Sequence, residues 1–228
     1  MHKTDTDNQI RLEQLKNIYQ LFDQTMASFD VVCEEKCATC CTCNVTITQL
    51  EAQYITLSLQ QDEKERLCKR ISTFFPLERY RPKITMNGFA RRCIEDKDIP
   101  EEENNPEWGK CPLLTDDRCT IYPYRPFGCR ALLSEVNCKK NGYAQVPEIG
   151  QTYQTIFMQA IEHLDQGNSY GNLSDMMTVL LKIDLEKNIA GNSLLINEPV
   201  TVMMIPPEHR KKIEPVINHL IHIIQIQA

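Results

Sequence analysis

The chain has 228 residues with 25 basic and 31 acidic side chains, a formal net charge of −6 and 42% hydrophobic residues. This length allows a sizeable core and predicts one domain spanning residues 1–228. Because the charge balance is acidic and no long basic stripe is present, no nucleic-acid partner is expected. The eleven cysteines are about 5% of the residues, below the roughly 8–10% typical of small disulfide scaffolds.

The first twenty residues carry polar or charged groups at almost every turn and lack the apolar stretch of a secretory signal. No apolar run approaches the roughly 20 residues that span a bilayer, so no membrane partner is expected either. We therefore expect a cytoplasmic protein whose thiols are kept reduced.

The N-terminal region, residues 1–32, is predicted to be a helix. Apolar side chains recur at three- and four-residue steps between residues 5 and 29, as at Ile18, Phe22 and Met26. After the first cysteines, Val45-Thr-Ile47 is a candidate extended piece. Thr48-Gln-Leu-Glu51 is a capping box that predicts a helix to about Leu59.

The cysteine-rich region, residues 33–141, is predicted to be largely irregular. A helix is expected from Asp62 to about Phe75, where Pro76 ends it. From Pro82 to Lys110 the helical periodicity disappears and acidic residues accumulate, which predicts an exposed, loop-rich insertion. Frequent prolines and Gly128 argue against a long helix between Cys111 and Cys138.

The C-terminal region, residues 142–228, returns to helical patterns. Helices are expected from Tyr153 to Leu164, from Leu173 to about Ile189 with Gly191 closing it, and up to about Gln227 with Pro215 in the first turn. Val200 to Ile205 predicts a strand or a buried extended segment. The expected fold class is therefore mainly α, a single helical domain with an irregular cysteine-rich metal-binding centre.

The cysteines fall into two groups along the chain. The first is Cys33-x3-Cys37-x2-Cys40-Cys41-x-Cys43, and the second comprises Cys111, Cys119, Cys129 and Cys138. Thiolates bind zinc or the iron of iron–sulfur clusters, and such bonds order backbone that has no regular structure. One zinc ion or one cluster takes about four ligands, and the two groups together offer nine cysteines. Two alternatives therefore stay open: two ions, or one cluster with spare thiols.

Cations close to thiolates are expected to stabilise such a centre, since four thiolates on one zinc leave a net negative charge. Arg125 and Arg130 are the predicted cofactor-binding residues, with Arg118, Lys36 and Lys110 as weaker candidates. The alternative role for each arginine is bracing of the loop through its carbonyl groups.

Five short stretches occur in a specific order: Cys37-Ala-Thr-Cys40-Cys41, Thr48-Gln-Leu-Glu51, Cys111-Pro-Leu-Leu, Cys119-Thr-Ile-Tyr122 and Arg125-Pro-x2-Cys129-Arg130. Over about residues 30 to 131 this order resembles the YkgJ-type cysteine-cluster proteins, a family named for a Cys-x2-Cys-x2-Cys-Cys motif and described as zinc- or iron-chelating. The resemblance implies metal ligation by Cys37, Cys40, Cys41, Cys111, Cys119 and Cys129.

The chain departs from the family motif at one position. The family's first cysteine is expected at position 34, where this chain has Glu34. We add Cys33 to the predicted ligands, with Cys43 and Cys138 as alternatives.

The sequence gives less support to other roles of the thiols than to metal binding. The odd number of cysteines and a reducing compartment argue against disulfides. Cys68 is predicted to be a buried residue of its helix. For Cys93, in the predicted loop beside Arg91 and Arg92, two roles stay open: a buried thiol, or a thiol folded against the cluster. All five histidines lie outside the cysteine region, which disfavours a cysteine–histidine nucleophile.

The function predicted from sequence is therefore chelation of zinc or an iron–sulfur cluster through cysteine thiolates. Cys33-x3-Cys37-x2-Cys40 also looks like the cluster motif of radical S-adenosylmethionine enzymes, so an iron–sulfur enzyme related to these or to protein lysine methylases is the alternative. The chain lacks the alternating strand and helix pattern on which such enzymes are usually built. A metal ion or cluster, and a protein bound on the helical surface, are the expected partners.

Overall fold

The computed structural model describes residues 3–34, 36–185 and 194–224, and in these residues the chain is mainly α-helical, as predicted. The helices described are α1 (Lys3–Met26), α2 (Gln49–Ser58), α3 (Gln61–Thr73), α4 (Met86–Ile94), α5 (Phe127–Arg130), α6 (Cys138–Asn141), α7 (Glu148–Leu164), α8 (Leu173–Leu180) and α9 (Arg210–Ile224). The strands described are β1 (Thr46–Thr48), β2 (Leu114–Thr115), β3 (Arg118–Cys119), β4 (Ser169–Asn172) and β5 (Leu195–Ile196). Within the described ranges, no helix is long and apolar enough to cross a membrane.

A first hydrophobic cluster joins α1 to α7 and α9. The cluster buries Ile18, Phe22 and Met26, because their spacing places them on one face of α1. The ring of Phe22 meets Phe127 and Phe157 edge to face, with centroids 4.8 and 5.2 Å away. Since Phe127 belongs to the cysteine-rich region, the cluster anchors that region to the helices.

A second hydrophobic cluster lies between α2, α3 and α8, with Leu113 and Ile121 of the cysteine-rich region packed into it. The predicted capping box of α2 is confirmed. The Glu51 backbone N–H donates to Thr48 Oγ1 (3.2 Å), and the Thr48 N–H donates to Glu51 Oε2 (2.9 Å).

The strands form two small antiparallel sheets. In the first, the order is β1-β4-β5, and Ile47 pairs with Gly171. At the end of β4, Asn172 caps α8 and donates from Nδ2 to the carbonyl of Cys43 (2.8 Å). The predicted extended piece near Val45 is thus confirmed as β1, and it connects the first cysteines to the helical core.

The predicted loop from Pro82 to Lys110 is wrong over α4, although residues 97–105 lack helix and strand as expected. The buried residues of α4 are Asn87, Gly88 and Ala90. Asn87 donates from its backbone N–H to Glu162 Oε2 (2.7 Å) and from Nδ2 to the Gln159 carbonyl (3.0 Å). A helix whose buried face is small or polar leaves no apolar periodicity in the sequence, so the pattern could not indicate it.

Two C-terminal helices differ from the sequence prediction in their boundaries. The helix predicted from Leu173 ends at Leu180, and residues 186–193, which include Ile189 and Gly191, lie outside the described residues. Pro215 lies inside α9 rather than in its first turn, because α9 begins at Arg210. Residues 200–205 form a half-buried link without strand pairing, tied to α7 through the Gln159 side chain.

Candidate metal centre

One cavity in the protein is lined by cysteines together with apolar residues such as Leu114, Leu133 and Val146. Its volume is about 240 Å³, and eight of the eleven cysteines line it. They are Cys33, Cys37, Cys40, Cys41, Cys111, Cys119, Cys129 and Cys138. The structure thus brings together all seven predicted metal ligands and Cys138, and every one of the eleven cysteines is a free thiol.

The turn that carries the first thiols is shaped by the backbone. The Cys37 N–H donates to the carbonyl of Glu34 (3.0 Å), and the Cys41 N–H donates to that of Ala38 (3.1 Å). Lys36 has a φ of 75°, and this left-handed conformation turns the chain immediately before Cys37. Cys40 and Cys41, which we call the vicinal pair, are close enough that Cys41 raises the pKa of Cys40.

A short antiparallel bridge joins this turn to the second group of cysteines. Thr42 pairs with Lys110, the Cys111 N–H donates to the Cys41 carbonyl (2.9 Å), and the Cys43 N–H donates to the Gly109 carbonyl (3.0 Å). These bonds bring Cys111 beside the vicinal pair although about 70 residues separate them in sequence.

A hairpin then returns Cys119 to the cavity. Asp116 and Asp117 both have positive φ, 49° and 59°, as a two-residue turn with matching strand twist requires, so Leu114 pairs with Cys119. The hairpin is held by Arg70 of α3, which donates to the carbonyls of Pro112 (2.9 Å) and Leu114 (2.7 Å). Arg70 was missed at the sequence level, because nothing in its spacing distinguishes it from other basic residues of α3.

Cys129 is positioned by α5, whose first N–H group is bonded to a buried carboxylate. The Phe127 N–H donates to Glu51 Oε1 (2.6 Å), which also accepts from the Tyr19 hydroxyl (2.8 Å). The carboxylate that caps α2 therefore also holds the start of α5. The capping box predicts only the first role of Glu51, and no local motif signals the second.

Cys33 and Cys138 meet at the loop around Ser134. The Val32 N–H donates to the Ser134 carbonyl (2.9 Å), while the Cys33 and Cys138 thiols point at the carbonyls of Ser134 (4.0 Å) and Val136 (3.8 Å). We call Cys33, Cys37 and Cys138 the outer set. Cys111, Cys119 and Cys129 pack against the second hydrophobic cluster, and we call them the inner set.

Burial holds several of these thiols in the neutral form. It raises the pKa of Cys111 to about 12, and it raises the pKa of Cys129, where the neighbouring inner-set thiols and Cys40 act in the same direction. The pKa of Cys33 is raised by burial and also by Cys138, Cys37 and Cys40. A cation bound among them would favour the thiolates, so metal binding would release protons.

The two predicted cofactor-binding arginines have different surroundings. Arg125 lines the cavity with its guanidinium 4.1 Å from the centre of the Tyr122 ring, and its charge lowers the pKa values of Cys119 and Cys129 against the effect of burial. Arg130 donates to the carbonyls of Arg125 (3.1 Å) and Pro123 (3.0 Å) and pairs with Asp23. Arg125 thus faces the thiols, whereas the contacts of Arg130 are those of a loop brace.

The remaining three cysteines do not line the cavity. Cys43 is buried, with its thiol 3.5 Å from the Glu78 carbonyl. Cys68 lies in α3, as predicted, but it is half-buried, so its prediction as a buried residue is wrong. Cys93 is exposed at the end of α4, so its prediction as a loop residue is wrong.

The chemistry of the donor set suits zinc or an iron–sulfur cluster, since soft thiolates are preferred ligands of both. Among the described residues, no group of three or more His, Cys, Asp or Glu side chains already has the geometry to hold a metal ion. The sulfurs instead surround a space of about 240 Å³, which is several times the roughly 30 Å³ of one water molecule. Binding would therefore draw sulfurs inward onto an ion, or fill the space with a larger group.

Comparison with known proteins found no matching family model, no similar curated protein and no similar solved structure. The resemblance to the YkgJ-type family therefore stays a prediction carried by the motifs of the chain itself.

Proposed function

We propose that this protein chelates zinc or an iron–sulfur cluster through the thiolates that line the central cavity. The single observation behind the proposal is that eight cysteines, four from each of the two groups in the sequence, meet at one cavity. A buried thiol is an ordinary small apolar residue in isolation, but eight of them around one space have no packing advantage over alanine or valine. Metal ligation gives a reason for this side chain at every one of these positions.

Chelation is favoured over radical S-adenosylmethionine chemistry by the arrangement of the strands. The described strands pair antiparallel, β1 with β4, β4 with β5 and β2 with β3. Radical S-adenosylmethionine enzymes usually contain alternating strands and helices, which produce parallel strand pairing. The proposal includes reducing, cytoplasmic surroundings and a protein partner on the helical surface.

The test is the metal content of protein purified without oxygen. Zinc would leave the protein colourless, whereas an iron–sulfur cluster would give brown protein with equimolar iron and sulfide and an absorption that bleaches on reduction. Elemental analysis and an absorption spectrum distinguish the two.

Cys40→Ser/Cys41→Ser should abolish loading of either group, since it removes two cavity thiols. The matched control is Cys68→Ala, which removes a half-buried thiol from α3 and should change stability without changing metal content. Metal-free wild-type protein that also fails to load during anaerobic reconstitution would refute the proposal. Equal metal content in the double variant and the control would refute the assignment of ligands.

A further inference from the structure

The eight thiols are not equivalent in their surroundings. The inner set packs on the second hydrophobic cluster, against α2, α3 and α8. The outer set lies toward the loop around Ser134, where Cys33 and Cys138 contact neighbouring backbone carbonyls. The two sets are therefore carried by different parts of the fold.

The backbone hydrogen bonds of the first cysteine turn follow the same division. The Cys37 N–H donates to the carbonyl of Glu34, the residue next to Cys33 (3.0 Å), whereas the Cys41 carbonyl accepts from the N–H of Cys111 (2.9 Å). The vicinal pair therefore follows an outer-set residue along the chain and is bonded to an inner-set residue.

Resting on the proposed function, we propose that the cavity contains two adjoining four-thiolate metal sites. The inner set forms one site and the outer set forms the other, and the vicinal pair supplies one sulfur to each. Adjacent residues direct their side chains apart when the backbone is extended or turned, so a Cys–Cys pair between two sites can serve both. Three thiols in each set together with one from the pair give the four ligands that zinc or one cluster takes.

Positive charge lies at the cavity, where it favours anionic metal sites. Arg125 lines the cavity with its guanidinium over the Tyr122 ring. A groove that also contains Cys37 and Cys41 is lined by three lysines and three acidic residues: Lys36, Lys110, Lys139, Glu34, Glu107 and Asp117. The charges of that groove therefore balance, whereas Arg125 adds a positive charge to the cavity itself.

Cobalt(II) titration of the reduced, metal-free full chain under anaerobic conditions tests this division, because thiolate-bound cobalt absorbs strongly through charge transfer. Wild-type protein should bind two cobalt ions per chain. Cys33→Ser/Cys138→Ser should bind one, and Cys111→Ser/Cys119→Ser should also bind one. The control Cys68→Ser/Cys93→Ser removes two thiols away from the cavity and should still bind two.

A wild-type stoichiometry of one cobalt ion, or loss of all cobalt from the outer-set variant, would overturn the two-site proposal while leaving chelation intact. Wild-type protein with no thiolate–cobalt absorption would instead contradict the proposed function itself. Because the inner-set thiols pack on the core, their variant is checked by far-UV circular dichroism. Thiol alkylation of wild-type protein with one bound cobalt gives a measurement independent of that variant. In each singly loaded molecule the protected thiols should belong to one set, and molecules whose protected thiols are drawn from both sets would overturn the division.

Discussion

At the scale of single residues, Glu51 connects several elements through its hydrogen bonds. Its buried carboxylate accepts hydrogen bonds from Thr48 in the capping box through Oε2, and from Tyr19 and Phe127 through Oε1. It therefore ties α1, α2 and α5 at one point, and α5 carries Cys129. The sequence motif reveals only a helix cap, because the other partners are distant in sequence.

Glu51→Gln should lower the free energy of unfolding by about 2–3 kcal/mol. The amide replaces one of the two acceptor oxygens with an N–H donor, which leaves a buried backbone donor without its partner. Urea unfolding measures the change. The control is Glu65→Gln on the exposed face of α3, which should alter the free energy by less than about 0.5 kcal/mol. Equal effects of the two substitutions would show that the buried carboxylate does not hold these elements together.

Asp165 gives a pH dependence that is independent of the thiols. It accepts hydrogen bonds from the Leu50 N–H (3.0 Å) and from Asn168 (2.8 Å), yet burial raises its pKa from 3.8 to about 6. A raised carboxyl pKa in the folded state means that the folded protein binds the proton more tightly than the unfolded chain. This contribution to stability is therefore largest below pH 4 and is lost as the pH rises to about 6.

Substitution of Asp165 by Asn should remove this contribution. Two pKa units correspond to about 3 kcal/mol, so between pH 4 and 7 the wild-type free energy of unfolding should fall relative to that of Asp165→Asn by up to about this amount. Urea unfolding at a series of pH values provides the two curves, and only their difference matters because other carboxylates titrate in both proteins. Parallel curves would contradict the assignment.

At the scale of elements, the β2–β3 hairpin is held in place by hydrogen bonds from α3. Arg70→Gln removes charged donors from the carbonyls of Pro112 and Leu114, and we expect the hairpin to open more often. Hydrogen exchange at the amides of Leu114 and Thr120, both bonded within this segment, should become faster by one to two orders of magnitude, since the lost bonds are worth about 1–3 kcal/mol.

The control for Arg70 is Arg66→Gln, one turn earlier on the same helix. Arg66 pairs with Asp62 on the exposed surface, and such pairs contribute about 0.5 kcal/mol or less. Its removal should leave exchange in the hairpin unchanged. Similar acceleration in both variants would show that the hairpin responds to the charge of α3 rather than to these two hydrogen bonds.

Whether an element could be predicted from the sequence depended on the type of side chain that it buries. α1 presents an apolar face and α2 begins with a capping box, and both features are local in sequence. α4 buries Asn87, Gly88 and Ala90, so its packing depends on hydrogen bonds to α7 that no local pattern encodes. Likewise, the spacing of the cysteines predicted that they gather, but the bonds that gather them, from Arg70 and Glu51, come from residues distant in sequence.

At the scale of the whole molecule, the cavity lies between elements anchored in separate hydrophobic clusters. α5 is fixed to the first cluster through Phe127, while Leu113 and Ile121, on either side of the β2–β3 hairpin, are buried in the second. These clusters are formed by carbon-rich side chains whose burial is independent of a metal. The fold therefore differs from a zinc finger, in which metal binding provides most of the folding free energy.

For the metal-loaded protein that the proposed function implies, we accordingly expect removal of the metal by a chelator to leave the helical far-UV circular dichroism in place and to lower the thermal midpoint. A ligand at 100 to 1,000 times its dissociation constant stabilises the folded state by about 3–4 kcal/mol. Hydrogen exchange should become faster at Cys37, Cys41 and Cys111, whose backbone bonds shape the site, while amides of α7 change little. Cys40→Ser/Cys41→Ser should show no response to the chelator. Loss of helical signal from α1, α7 and α9 on chelation would mean that the metal, rather than the apolar clusters, holds the fold together.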